Sequence, residues 1–497
     1  MTYLSMQKKK TIGIGVIQSV CWIWIALPVA IFLSCWIKPL IGIPLTIMLA
    51  FSVYKAIRKI PYNSNGIVVN GKFFGILSIV LSAVLISGIG GFSPQMEWDH
   101  GFRNAVFYDL VKYSWPVVDT SQNIPRLLCY YLCFWLPSAA VAKLTGSLLV
   151  GNICLVLYAF IGMSAVFLLL SHKIGKVSVW IAIFFFCFCS WDLFAYILTY
   201  PWKGAWEMFI AQKDPSTPFF GAPSPIHLLF FAYNHGIPAW VGFTLMYINR
   251  KSPGILILIL GMLAGFAPIP CVGVAPVVTY HILRNFRQSM TLSNISGLLT
   301  GIVFTLYMVS NQYGGDPGLA FDSTNALEFF YCMAAFFCCT YLPFFPFIWK
   351  EIKHDTLFWG LLVTSLILPM IRIGILYDFG WRVGVPFTCY FIYFVMKRAA
   401  HPAIHQKLFK AVAAIGIISA SWIGYHWLFH AYLAAKKAPS YYVDPKYQST
   451  YRADWLGSCF NHTICYNNFV ADNPDTFFTR HMLRTDHFRK TDGSKER

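Results

Sequence analysis

At 497 residues, with 57% hydrophobic, 18% aromatic and only 12% charged positions, the chain lies far from the roughly one-quarter charged balance of soluble domains. That composition excludes an ordinary soluble enzyme and makes the bilayer the natural solvent. The formal charge of +18, from 38 Lys and Arg against 20 Asp and Glu, would suit nucleic acid, yet the basic residues fall in short turns between apolar runs rather than in one stripe, so no nucleic-acid partner is expected.

In chain order, apolar stretches able to cross ~30 Å of hydrocarbon, about 20 residues each, predict thirteen transmembrane helices. They fall at 12–36, 39–56, 73–92, 148–171, 177–198, 226–248, 254–270, 271–283, 292–310, 327–348, 356–376, 383–396 and 409–432. Lys8, Lys9 and Lys10 followed by an apolar run imitate a signal peptide, but the run lacks a small-residue cleavage site and reads as a retained first span. The short seventh and eighth stretches flank Pro268-Ile269-Pro270, which fits either a helical hairpin or one broken helix. The expected fold class is therefore an all-α polytopic membrane protein. Its parts are a three-span segment (1–92), a first outer loop with interfacial helices (93–147), a ten-span core (148–432) and a polar tail (433–497).

With the N-terminus inside, nineteen Lys and Arg occupy cytoplasmic turns, among them Lys55, Lys59, Lys251 and Arg284, opposed only by Glu351 and Asp355. This is the positive-inside pattern. It predicts a cytoplasmic (inner) membrane protein whose large loops and C-terminal tail lie outside. Residues 127–146 are apolar enough to span, but counting them would move Lys173 and Lys176 outside. They are expected to lie at the outer interface or dip into it, with Tyr130, Tyr131 and Trp135 at headgroup depth and Lys143 reaching water. Cys459 and Cys465, in the outer tail, leave a disulfide open. Cys129 and Cys133 have no His or acidic company, and no metal site is predicted.

An ionisable group in or beside a span is costly unless paired or hydrated, so each one asks for a reason. The first cluster, 97–117, carries Glu97, Asp99, His100, Arg103, Asp109 and Lys112, with Asp99 and Arg103 sharing a helix face at i,i+4. It fits a solvated interfacial helix, or a carboxylate placed to take a proton from an incoming hydroxyl. The second cluster comprises Asp192, Lys203 and Glu207, then Asn234-His235-Gly236-Ile237-Pro238, where Gly and Pro are expected to open the helix beside His235. The third has Asp378 and Arg382 at i,i+4, with Arg372 upstream; they can form an internal ion pair, or the arginine can grip a phosphate. All three fall on one predicted face, which favours a shared site.

At these residues the chain resembles bacterial multispan glycosyltransferases of the GT-C superfamily that are presumed to use polyprenyl-phosphate sugars, from about residue 90 to 480. An outer-loop Asp-aromatic-x-x-His-Asn-Ala motif, followed by Asp-Leu and Trp-Pro-Val, is matched by Asp99, Asn104, Ala105, Asp109, Leu110, Trp115, Pro116 and Val117. It departs at His100, where the family has an aromatic residue, and at Arg103, where it has His. Weaker matches follow at Ser190-Trp191-Asp192, at Asn234-His235 with Pro238 and Trp240, at Asp378, Phe379, Arg382 and Pro386, and at Asp475-Thr476-Phe477-Phe478-Thr479-Arg480.

The resemblance implies an outer active site. Asp99, Asp109 and Glu207 are its implied catalytic carboxylates, with Asp99 the best fit to the base. Arg382, His235 and Arg103 are its donor-phosphate ligands, and Asp192, Asp378 and Asn234 bind or orient the sugar. The implied partners are a polyprenyl-phosphate-linked sugar, a cell-envelope glycan acceptor and the bilayer. No cofactor is called for, and Glu97-Trp98-Asp99 is too slight a pattern to claim a divalent metal. Two rivals share these features: a polysaccharide polymerase or ligase acting on pyrophosphate-linked oligosaccharides, and a non-enzymatic flippase or transporter of lipid-linked sugars. The absence of visible repeats and the scarcity of mid-membrane charge weigh against the last.

Overall fold

The computed structural model describes residues 10–61, 66–95, 97–120, 124–188, 191, 194, 195, 198, 224–311, 318–322, 325–373, 378–401, 403–437, 469–485, 487 and 488. Among them six helices are long and apolar enough to cross a membrane: Ile14–Trp36, Pro39–Arg58, Leu148–Ile174, Leu292–Val309, Ala326–Ile352 and Phe379–Ala400. The chain is thus an all-α membrane protein. Thirteen spans were expected, and several of those runs are helices interrupted by identifiable residues.

In chain order the helices are α1 (Ile14–Trp36), α2 (Pro39–Arg58), α3 (Gly71–Ile86), α4 (Glu97–Lys112), α5 (Leu136–Thr145), α6 (Leu148–Ile174), α7 (Val179–Phe186), α8 (Pro225–Phe231), α9 (Tyr233–Ile248), α10 (Leu256–Leu263), α11 (Pro268–Arg284), α12 (Phe286–Ser289), α13 (Leu292–Val309), α14 (Ala326–Thr340), α15 (Phe345–Ile352), α16 (Thr356–Ile367), α17 (Asp378–Val383), α18 (Val385–Ala400) and α19 (Gln406–Lys437). Local chemistry sets their ends. Asn70 caps α3 by accepting from the Lys72 and Phe73 N–H groups, and Ser147 caps α6 by accepting from Val150 N–H. Gly175, at φ +80°, ends α6 in the left-handed region that a side chain resists.

The interruptions matter more. α3 stops well short of residue 92, because Gly88 and Gly90 both take positive φ and turn the chain. The predicted span 226–248 divides at Ala232 (φ −145°), not at Gly236 and Pro238. The expected opening at Pro238 does not occur. A proline in the second turn removes only one N–H donor, while the helix start is secured earlier by the His235 and Gly236 N–H groups bonding to the Ala232 carbonyl.

Between 254 and 283 the structure takes the hairpin form. α10 and α11 break over 264–267, and both outer ends of the pair come back together, with Gly254 lying against Gln288 and Thr291. The Thr291 hydroxyl donates to the Gly254 carbonyl, and the Asn294 amide donates to Pro253 and Ser289. At the hairpin tip the Gly265 carbonyl accepts from Cys133 N–H. The pair packs through small residues: a Cβ on Gly261 would overlap the Gly297 carbonyl oxygen, and one on Gly297 would overlap the Ile257 carbonyl oxygen. α10 and α13 therefore touch backbone to backbone.

Short strands tie the ends. β1 (Thr11–Ile12) pairs with β2 (Ile67–Val68), and β5 (Gly318–Leu319) with β6 (Ile371–Arg372), each antiparallel. β3 (Val118–Asp119), β4 (Arg126–Leu128) and β7 (Val470–Asp472) form one antiparallel sheet in which Leu127 lies opposite Val118 on one side and Ala471 on the other. Arg126 pairs with Asp119 inside it. Part of the predicted polar tail is thus built into the first outer loop, since Phe469, Val470, Ala471, Phe478 and Leu483 are all buried. Cys459 and Cys465 lie outside the described residues.

Candidate functional site

The Ala232 break is what builds the site. It starts α9 with three polar or aromatic residues, Tyr233, Asn234 and His235, all buried although no carboxylate is adjacent to them in sequence. Amides and imidazoles buried in a helix bundle need partners, and these come from residues 97–135 and from α17.

Arg103, from α4, is 4% exposed; its Nε donates to Asn234 Oδ1 at 3.0 Å, and its guanidinium lies 5.6 Å from the Tyr233 ring. Arg382, from α17, places Nη1 3.4 Å from His235 Nε2, and the Tyr130 hydroxyl lies 3.5 Å from the same nitrogen. A guanidinium can only donate, so that contact casts Nε2 as the acceptor of a neutral imidazole that carries its proton on Nδ1. Three segments separated by more than 100 residues, around 103, 234 and 382, therefore meet in one buried cluster.

His100 belongs to the same wall. Its Nε2 lies 2.9 Å from the Phe230 carbonyl, and its ring sits 5.5 Å from that of Tyr233 at 37°. A flat ring thus fills this part of the wall. Burial first, and the Arg103 charge second, push the His100 pKa down to about 3, against the opposing hydrogen bond to Phe230. Neutral imidazole then donates from Nε2 to the carbonyl.

The linkage has a definite sign. The folded pKa lies below the ordinary 6.5, so the unfolded chain binds the extra proton and stability is lost as pH falls from 6.5 towards 3. The slope is at most about 1.4 kcal/mol per pH unit. His100→Phe is expected to flatten the decline in melting temperature over this window while preserving the ring packing; an unchanged acid profile would refute the assignment.

Several expectations are redirected. Tyr130 and Trp135 are buried among protein side chains rather than exposed on the surface. Trp135 is fully buried and donates to the Tyr233 hydroxyl at 3.3 Å, and Tyr131 stacks edge-on against His235 with ring centroids 4.6 Å apart. Lys143, partly exposed, donates to the Tyr113 carbonyl and lies 5.6 Å from the Trp115 ring. The apolar loop is drawn inward because the hairpin tip at Gly265 offers it a packing surface, which Cys133 contacts directly.

Asp109 is buried, but nine residues at about 100° each place it on the opposite side of α4 from His100. Asp99 and Asp378 occupy positions on α4 and α17, the two helices that deliver Arg103 and Arg382. Asp192 and Glu207 lie outside the described residues. Phe469 is a member that sequence reasoning missed: carried next to β7, it packs 4.3 Å from Tyr130. Only strand pairing between distant segments brings it there.

Fold and cluster together define a polytopic α-helical membrane protein with a buried, arginine-rich polar cluster near one end of its bundle. Compared with protein-family models, curated proteins and solved structures, the chain matches none.

Proposed function

We propose that the protein is a GT-C-like glycosyltransferase that moves a sugar from a polyprenyl-phosphate donor to a cell-envelope glycan acceptor at the outer face of the cytoplasmic membrane. The observation that carries this reading is the convergence of Arg103, Asn234, His235 and Arg382 beside α4, the helix that bears Asp99. Guanidinium groups held in a low-dielectric wall suit an anion that gains charge during reaction.

In the proposed step an acceptor hydroxyl attacks the anomeric carbon. Its proton passes to the Asp99 carboxylate, the bond from that carbon to the phosphate oxygen breaks, and the electron pair leaves with the polyprenyl phosphate. Arg382 and Arg103 neutralise the departing phosphate, and His235 orients Arg382. Asp192, Glu207 and Asp378 bind sugar hydroxyls.

The test is transfer by purified protein in proteoliposomes, supplied with monophosphate-linked and, separately, pyrophosphate-linked sugars. Asp99→Asn is expected to lower turnover by about 10²–10⁴-fold, the usual range for a lost general base, while the protein still inserts. Full activity in Asp99→Asn would remove the assigned base, and exclusive use of pyrophosphate donors would instead favour a polymerase or ligase.

A further inference from the structure

At the opposite end of α9 from His235, about 20 Å away by helix rise, the bundle holds a cavity of about 700 Å³. Its walls come from the C-terminal end of α2, the turn that follows α9 and the N-terminus of α13, and they carry Lys55, Lys59 and Lys251. Among the described residues no carboxylate lines it. The acids available at this end are engaged elsewhere: Asp355 lies 3.9 Å from Arg250 and accepts from the Tyr390 hydroxyl at 2.9 Å, and Glu351 pairs with Lys397. Thr291 and Ser293, at the positive end of the 18-residue α13, add hydroxyls to the wall.

A second observation says where the occupant comes from. On α2 the exposed residues Leu40, Ile43, Ile47 and Phe51 form a stripe at three- and four-residue spacing that runs directly to Lys55. On the adjacent α13, Leu292, Ile295, Leu299 and Ile302 form a matching exposed stripe that begins at the cavity. Two apolar tracks thus end on one basic, hydroxyl-lined chamber.

We propose that this chamber is a binding site for the phosphate-bearing head group of an anionic phospholipid, whose acyl chains lie along the α2 and α13 stripes. Free phosphate or pyrophosphate shares the head-group chemistry but makes no use of the tracks. Lysines near a membrane surface attract anionic lipid by about five-fold each, so the three together are worth on the order of 100-fold.

Native mass spectrometry of the full chain in detergent, titrated with phosphatidylglycerol, with phosphatidylcholine of the same chains and with inorganic pyrophosphate, tests this. The expected result is one retained phosphatidylglycerol. Retention should fall by on the order of 100-fold in Lys55→Gln/Lys59→Gln/Lys251→Gln and by about five-fold in each single variant, but should be unchanged in Lys407→Gln. All three lysines are exposed, and the single variants keep the test open if the triple variant folds poorly. Equal retention of phosphatidylcholine, or equal phosphatidylglycerol retention by wild type and variants, overturns the proposal. Lysine-dependent binding of pyrophosphate without lipid retention overturns the lipid source and leaves a soluble-anion site.

Discussion

Arg382→Ala is expected to reduce transfer from a polyprenyl-phosphate sugar by about 10²–10³-fold, the loss typical when one preorganised donor to a developing anion is removed. The side chain is half-buried on the short helix α17 and lies 3.4 Å from His235, which orients it, so the substitution removes a charge held in a fixed position. Arg382→Lys should recover little, because an ammonium lacks the planar fork that can bond two phosphate oxygens while also touching His235. Arg372→Ala is the matched control: that arginine lies on β6, near Gly318, and takes no part in the contacts of Arg103, Asn234 and His235. Initial rates at saturating donor, compared across the three variants, decide the matter. Undiminished turnover in Arg382→Ala would withdraw the phosphate-binding role.

Gly261→Leu should be among the most damaging single substitutions in the helix bundle. Even the first carbon of a side chain at this position overlaps the Gly297 carbonyl oxygen, a backbone atom that cannot rotate away, so α10 and α13 must separate. The expected cost is about 3 kcal/mol or more, at or above the upper end of ordinary overpacking. In detergent it should appear as a lowered melting temperature or as loss of the monodisperse species. Gly301→Ala provides the contrast on the same helix pair, because its added carbon would stand 3.6 Å from Gly261 Cα, an ordinary contact. Comparable destabilisation by both substitutions would mean that close approach at Gly261 is not what holds the pair.

Membrane character was legible from composition, since an apolar run of spanning length needs no tertiary partner to declare itself. Helix interruptions were read less well. Gly236 and Pro238 looked like the breakers in the 226–248 run, yet the chain breaks at Ala232, which carries no local signal. The hairpin at 254–283 was one of two forms open to the sequence. Contact of its ends at Gly254 and Thr291 selects it, and contact between distant residues leaves no periodicity to read.

For the site, residue types were informative while distances were not. Arg103, Asn234, His235 and Arg382 stood out because polar groups near spans are expensive, and the structure brings those four together. Asp109 had the same credentials and is buried half a turn around α4 from His100. Tyr130 and Trp135 looked like interface anchors because an aromatic residue in an apolar loop has the same appearance whether it meets lipid headgroups or a protein interior.

The sequence by itself determined the solvent, the asymmetric placement of basic turns and the short list of polar residues that must find partners, because each of these follows from transfer energies of individual residues. Tertiary structure alone decided which of those partners meet: that the segment before α5 packs onto the tip at Gly265, that residues 469–485 close against it, and that Lys55, Lys59 and Lys251 face one chamber. Such pairings depend on which helix surfaces interlock, and side chains hundreds of residues apart carry no shared local pattern that would announce it.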